Sequence, residues 1–253
     1  MRRLLTLTFV ALGWATAAPS ASLSAQVVVV PPGLHATPIT SGPAIAGLNG
    51  VIATADERLL IARGSVATGT TSELIEHDLV TGVTTSLIAG LPLGNPDRML
   101  LGDGSALLGD GLVLADHNSM ETAECCDGRV YRIDLDTLAV TTIAAGNPLS
   151  SPGDPFGIAQ GLGGAFGEHL YVMDFEGASP SPPVLYRVLP DGTPQPFVFD
   201  EPNWPLNASP KDLAFDPTGA YGGDLFIADD GSSDVIWRVT PSGVVTEFAP
   251  FPR

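Results

Sequence analysis

The sequence predicts an all-β protein made of four repeated, four-stranded units behind a secretory leader. Three observations carry this. The chain matches itself at a period of roughly 50 residues, the mark of a repeat architecture. Its short apolar runs alternate with polar positions, as strands with two unlike faces require. It holds 29 Gly and 23 Pro in 253 residues, a supply that suits many short strands joined by turns. Hydrophobic residues at 44% are enough for a packed core, so global disorder is not expected.

Each unit opens with a short apolar strand, expected over 49–54, 97–101, 156–160 and 212–216. A Gly-rich turn follows. Three copies of the turn and second strand are close kin: GDGSALLGDGLVLAD (102–116), GLGGAFGEHLYVMD (161–174) and DPTGAYGGDLFIAD (216–229). The first copy is shorter, ADERLLIAR (55–63). The second strands are expected to end at Arg63, Asp116, Asp174 and Asp229. A variable loop then leads to the third strand, ELIEHDL, RVYRIDL, VLYRVLP and VIWRVTP. Two-residue turns at Thr81-Gly82, Asp136-Thr137, Asp191-Gly192 and Ser242-Gly243 are expected to return the chain into the fourth strand.

The register can be tested on two columns of the third strand. Glu76, Arg132, Arg187 and Arg238 occupy one position, 56, 55 and 51 residues apart. Ile75, Tyr131, Tyr186 and Trp237 precede them. Neighbouring positions on a strand face opposite ways, so the aromatic column is expected between units and the Arg column near their edges. Four short antiparallel strands per repeat is the pattern of a β-propeller blade, which must stack on its neighbours to keep both faces dry.

The segment PTGAYGGDLFIAD…VIWRVTPSGVVTEF resembles a blade of the NHL and gluconolactonase (senescence-marker-type) propeller families. The resemblance covers about 44–249 and implies a propeller domain over 26–253, with blades at about 44–91, 92–148, 149–200 and 205–250. Members usually carry six blades. A compact four-bladed ring and an incomplete six-bladed one both fit the count of four. Residues 26–41 are expected to add a strand.

Residues 1–25 read as a secretory signal peptide: Arg2 and Arg3, an apolar run from Leu4 to Ala18, then small residues. The run is too short for an ordinary membrane span. A secreted or periplasmic location is therefore expected. The net charge of −17 argues against nucleic acid as a partner, because no basic stripe is available to neutralise phosphates. The two cysteines, Cys125 and Cys126, are adjacent. In an oxidising compartment they allow a strained vicinal disulfide, an intermolecular bridge or two free thiols.

Loops from every blade converge at one face of a propeller, which is the default ligand site. Residues expected there are Arg63, Asp116, His117, Asp174, Asp229 and Trp204. Carboxylates suit Ca²⁺, and DDGSSD (229–234) adds Asp230 to the candidates. An Asp closing a strand more often accepts hydrogen bonds from loop backbone. The lactonase-like resemblance implies metal ligands where the first strands open, at Asn49, Asp97, Phe156 and Lys211. Asn49 and Asp97 suit a metal, whereas Phe156 and Lys211 do not. No GxSxG elbow, HExxH or P-loop occurs.

Three functions follow as expectations. The first is an exported scaffold that binds a protein, glycan or small ligand on its loop face. The second is a calcium-dependent, lactonase- or esterase-like hydrolase using Asn49, Asp97 and Asp174 or Asp229. The third is a surface protein that polymerises through open strand edges.

Overall fold

The computed structural model describes residues 48–64, 72–91, 93–94, 96–116, 128–144, 155–174, 183–198, 209–231 and 234–250; of residues 48 and 49 it describes the backbone alone. The described chain is all β-strand, turn and loop. Blade one holds β1 (Leu48–Ala53), β2 (Arg58–Arg63), β3 (Glu73–Asp78) and β4 (Thr84–Ala89). Blade two holds β5 (Pro96–Leu101), β6 (Leu112–Asp116), β7 (Arg129–Ile133) and β8 (Val140–Ala144). Blade three holds β9 (Pro155–Gln160), β10 (Leu170–Asp174), β11 (Val184–Val188) and β12 (Pro194–Val198). Blade four holds β13 (Pro210–Phe215), β14 (Leu225–Asp229), β15 (Val235–Val239) and β16 (Val245–Pro250). Within each blade the strands pair antiparallel in sequence order. The four second strands end at the residues expected.

The core lies between blades. Leu60, Ala62 and Leu74 of blade one pack on Leu112, Leu114, Tyr131 and Ile133 of blade two. Val113, Ala115 and Val130 of blade two meet Leu170, Val172, Tyr186 and Val188 of blade three. Tyr171, Met173 and Leu185 of blade three meet Leu225, Ile227, Trp237 and Val239 of blade four. Each blade thus has a front face, turned to the next blade, and a back face, turned to the one before. The aromatic column Tyr131, Tyr186 and Trp237 sits on the back faces, buried between blades.

The Arg column lies on the opposite side of the same strands. Arg132 donates to the Leu107 carbonyl at 3.3 Å, Arg187 to Gln195 at 3.2 Å, and Arg238 to Asp224 at 2.5 Å and the Tyr221 carbonyl at 3.0 Å. Glu76, the blade-one member, accepts from Arg58 at 2.5 Å. The column therefore ties third strands to turns and to neighbouring strands.

The first strands pack in succession, β1 on β5, β5 on β9 and β9 on β13. No comparable packing joins blade four to blade one among the described residues. Three blade–blade interfaces thus form among the described residues. The back face of blade one carries its own small cluster of Leu59, Ile61 and Ile75 with Val51, to which no other described sheet contributes.

The turns between third and fourth strands are longer than the two residues expected. In blades three and four the closing bonds run from Leu189 N to Thr193 O and from Thr240 N to Val244 O. Each loop is three residues, with Gly192 (φ 84°) or Gly243 (φ 82°) in the left-handed region. In blades one and two four residues intervene, because Asp78 and Asp134 cap the loop. Asp78 accepts from the backbone N–H of Val80 and Thr81, both at 2.8 Å. Asp134 accepts from Asp136 at 3.0 Å and Thr137 at 2.7 Å. Leu138 (φ 59°) then takes the place that Gly82 takes in blade one.

Candidate functional site at the openings of the first strands

In every blade the second strand ends opposite the opening of the first. Leu48 pairs with Arg63, Pro96 with Asp116, Pro155 with Asp174, and Pro210 with Asp229. A proline suits the first position of a strand, since it has no N–H to offer the ladder. In each pair the register then slips by one residue. The residues left in the bulges are Asn49, Asp97, Phe156 and Lys211. A bulge re-aims the side chain of its extra residue and recurs beside binding sites. The four positions implied by the lactonase-like resemblance are thus the four bulge positions.

The openings lie close together. A Cβ on Gly50 would sit 3.2 Å from the Met99 side chain and 3.6 Å from the Asp97 carbonyl, so β1 opens against β5. A Cβ on Gly157 would sit 3.1 Å from the Leu213 side chain and 3.2 Å from the Asp212 Cα, so β9 opens against β13. Glycine at both places is what permits the close approach. Between blades three and four, the Lys211 ammonium lies 4.2 Å from the centre of the Phe156 ring. Between blades two and four, Arg98 Nε lies 2.8 Å from an Asp212 oxygen. Lys211 Nζ is also 4.0 Å from Asp230, whose side chain is exposed. The rim so formed carries carboxylates, a guanidinium, an ammonium and an aromatic face (a cation–π pair).

The second-strand carboxylates lie beneath this rim and are buried. Asp116 accepts from the Gly94 N–H at 2.9 Å. Asp229 accepts from the N–H of Ser209 at 2.6 Å, the N–H of Gly231 at 2.8 Å and Trp237 Nε1 at 2.9 Å. These bonds fasten the segments that enter the first strands, so Asp116 and Asp229 shape the rim from below. Asp174 is buried at the equivalent place. Arg63 stands there in blade one and forms an ion pair with Glu73, which also accepts from Ser86 at 2.7 Å. Gly64 follows, and a Cβ there would lie 2.2 Å from the Gly94 carbonyl.

Among the described residues no group of three or more His, Cys, Asp or Glu side chains is gathered as a metal cage. The residues at the four bulges do not fit a shared Ca²⁺, because Phe156 has no donor atom and the Lys211 ammonium repels a cation. His117, Trp204, Cys125 and Cys126 lie outside the described residues, as do the expected leader and the strand expected within 26–41. The sequence reading missed the Arg98–Asp212 and Lys211–Phe156 contacts. It also missed the close-approach role of Gly50 and Gly157.

The architecture is shared with solved structures. A chain of the nidogen/laminin complex aligns at a TM-score of 0.54 and 18% identity, over 81% of this chain and 66% of that one. The periplasmic gluconolactonase of Pseudomonas aeruginosa aligns at 0.53 and 15%, over 81% of this chain and 58% of its own. An extracellular domain from B. thetaiotaomicron aligns at 0.53 and 15%, over 83% of this chain and 23% of its own. The chain is a β-propeller protein, and it spans less than two thirds of each of these structures. No protein-family model and no curated protein matches it. Among the described residues no helix is long and apolar enough to cross a membrane.

Proposed function

We propose that the chain is an exported propeller scaffold that binds a protein, glycan or small ligand on the rim where its first strands open. The observation that carries this reading is the convergence of four bulged openings from four blades. The rim offers charges of both signs beside one aromatic face, a mixture suited to polar ligands. Phe156 supplies a flat surface for a sugar or another ring, and Lys211 and Arg98 supply donors beside it. The buried Asp116 and Asp229 hold the rim in place, which lowers the ordering cost of binding. The export reading rests on the leader-like residues 1–25 and on the extracellular and periplasmic structures the chain is similar to.

The test is binding to a panel of neutral and acidic oligosaccharides and to extracellular-matrix proteins, followed by Phe156→Ala and Lys211→Ala. Either substitution is expected to weaken a genuine ligand at least tenfold while leaving the unfolding midpoint nearly unchanged. A ligand that binds both variants as tightly as the parent chain contradicts the rim as the site.

A second reading is a calcium-dependent lactonase-like hydrolase. It is favoured by Asn49 and Asp97, which occupy the bulges of adjacent blades whose openings touch. In this reading Asn49 and Asp97 would be ligands, with Asp174 or Asp229 completing the set. Calorimetry with Ca²⁺ on the parent chain and Asp97→Ala tests it; no stoichiometric heat, or equal heat from both, removes it.

A further inference from the structure

One cross-strand position changes its chemistry from blade to blade. It lies two residues before the second-strand partner of Glu76, Arg132, Arg187 or Arg238, at Arg58, Gly111, His169 and Asp224. In blade one Arg58 pairs with Glu76 at 2.5 Å, and in blade four Asp224 pairs with Arg238 Nε at 2.5 Å. The two are one device with the signs exchanged. In blade two the position is Gly111, and Arg132 turns to the Leu107 carbonyl. Blade three instead sets two basic side chains against each other, His169 and Arg187. The Arg187 Nε and the His169 Nδ1 are both buried, and among the described residues neither has a hydrogen-bond partner. Burial, and after it the Arg187 guanidinium, hold the His169 imidazole below its ordinary value. The carboxylates of the flanking turns are engaged elsewhere: Asp216 with Thr218, Tyr221 and Gly223, Asp191 with Thr193, and Asp103 with Ser105 and Gln160. Glu168 is exposed.

The pair touches the parts that hold blade four. The imidazole lies against Gly167, where a Cβ would be 2.9 Å from its Cδ2 and 3.0 Å from its Nε2. Gly167 follows Phe166, whose ring meets Phe215 of blade four at 5.0 Å and whose carbonyl accepts from Tyr171 at 2.8 Å. The Arg187 guanidinium lies 5.8 Å from the centre of the Phe197 ring, which packs on Phe166 and Tyr171 at 6.1 and 5.3 Å. Blades two and four flank this corner, so its neighbouring sheets are in place.

We propose that His169 is an acid-sensitive release for the joint between blades three and four: protonation sets two cations face to face beneath the turn 161–169 and loosens its hold on Phe215. A neutral imidazole tolerates the guanidinium beside it. An imidazolium is repelled, and no carboxylate stands ready to offset the charge as Asp224 does in blade four. The folded state disfavours the charged form, so the joint is tightest above about pH 6.5 and weakens as pH falls below it.

Amide hydrogen exchange over 161–170 and 213–216, from about pH 7.5 to about pH 5 and corrected for the intrinsic rate, tests this across the histidine range. The full chain is compared with His169→Gln and His169→Asp, and the His169 ring is titrated by its own resonance. Protection of these segments in the parent chain should fall about three- to tenfold with acid, ten being the limit for each unit of displacement of the imidazole. His169→Gln, neutral throughout, should hold its protection constant. His169→Asp rebuilds the pairing of blade four and should keep the parent's high-pH protection down to about pH 5. The His169 resonance should titrate below the ordinary 6.5. A parent chain whose corrected protection is unchanged by acid overturns the proposal. So does an equal fall in His169→Gln, or a His169 ring that titrates at or above the ordinary value; the ring titration decides even where a variant does not fold.

Discussion

Replacing Asp229 with Ala tests whether the buried carboxylates hold the rim. The Asp229 side chain accepts from two backbone N–H groups and from the Trp237 indole, all within 2.6–2.9 Å, and both Asp229 and Trp237 are buried. A hydrogen bond to a charged acceptor contributes about 1.5–3 kcal/mol, and a buried donor left without a partner costs about 1–3 kcal/mol. Ser209 and Gly231 are part-buried and can turn to water in the space vacated. The Trp237 indole has no such recourse. The net loss is therefore about 3–5 kcal/mol rather than the full sum of three bonds. At a urea slope of about 2–3 kcal/mol per molar, the midpoint falls by about 1–2.5 M. Urea unfolding followed by indole fluorescence and by far-ultraviolet circular dichroism measures it, and the two probes should coincide. Asp229→Asn keeps one acceptor and should lose about 1–3 kcal/mol. A loss below about 1 kcal/mol for Asp229→Ala would refute the reasoning, since the carboxylate would then be anchoring nothing.

Four further outcomes follow from the geometry. Gly102→Ala places a Cβ 2.1 Å from the Gly109 carbonyl, a backbone atom that cannot step aside; a loss of at least about 2 kcal/mol is expected, and a neutral result would contradict that turn. Tyr171→Phe strips the donor from the Phe166 carbonyl at 2.8 Å and should cost about 1–3 kcal/mol by the same urea assay. On the acid side, the Arg58 guanidinium beside Asp56 lowers that carboxyl to about 2, and bonds from Thr218, Tyr221 and Gly223 lower Asp216 to about 2. Folded values below the unfolded one stabilise above about pH 4, and that contribution is lost as pH falls toward 2. On the alkaline side, burial raises the Tyr171 and Tyr186 phenols to about 12, so their contribution is complete below about pH 10 and lost as pH rises through 12. Urea midpoints that stay flat from pH 4 to 2, or four tyrosines ionising together near pH 10, would speak against these environments.

The strands were legible because each blade repeats the same alternation, and repetition turns weak local signals into a register. Arg63, Asp116, Asp174 and Asp229 close the second strands as the alignment requires. The aromatic and Arg columns face opposite ways for the same reason. The turn lengths were not legible, because Asp78 and Asp134 lengthen their loops through side-chain bonds that the Gly positions alone do not reveal. The bulges were equally hidden: one extra residue leaves the apolar pattern on either side intact. Contacts such as Arg98 with Asp212 join residues more than a hundred positions apart, beyond any local pattern.

The whole account depends on successive blades meeting through residues at repeated positions. A double-mutant cycle of Phe166→Leu and Phe215→Leu tests this contact directly, because both rings are apolar and belong to different blades. The account predicts a coupling of about 0.5–1.5 kcal/mol between them in urea unfolding. Strict additivity of the two losses would contradict it.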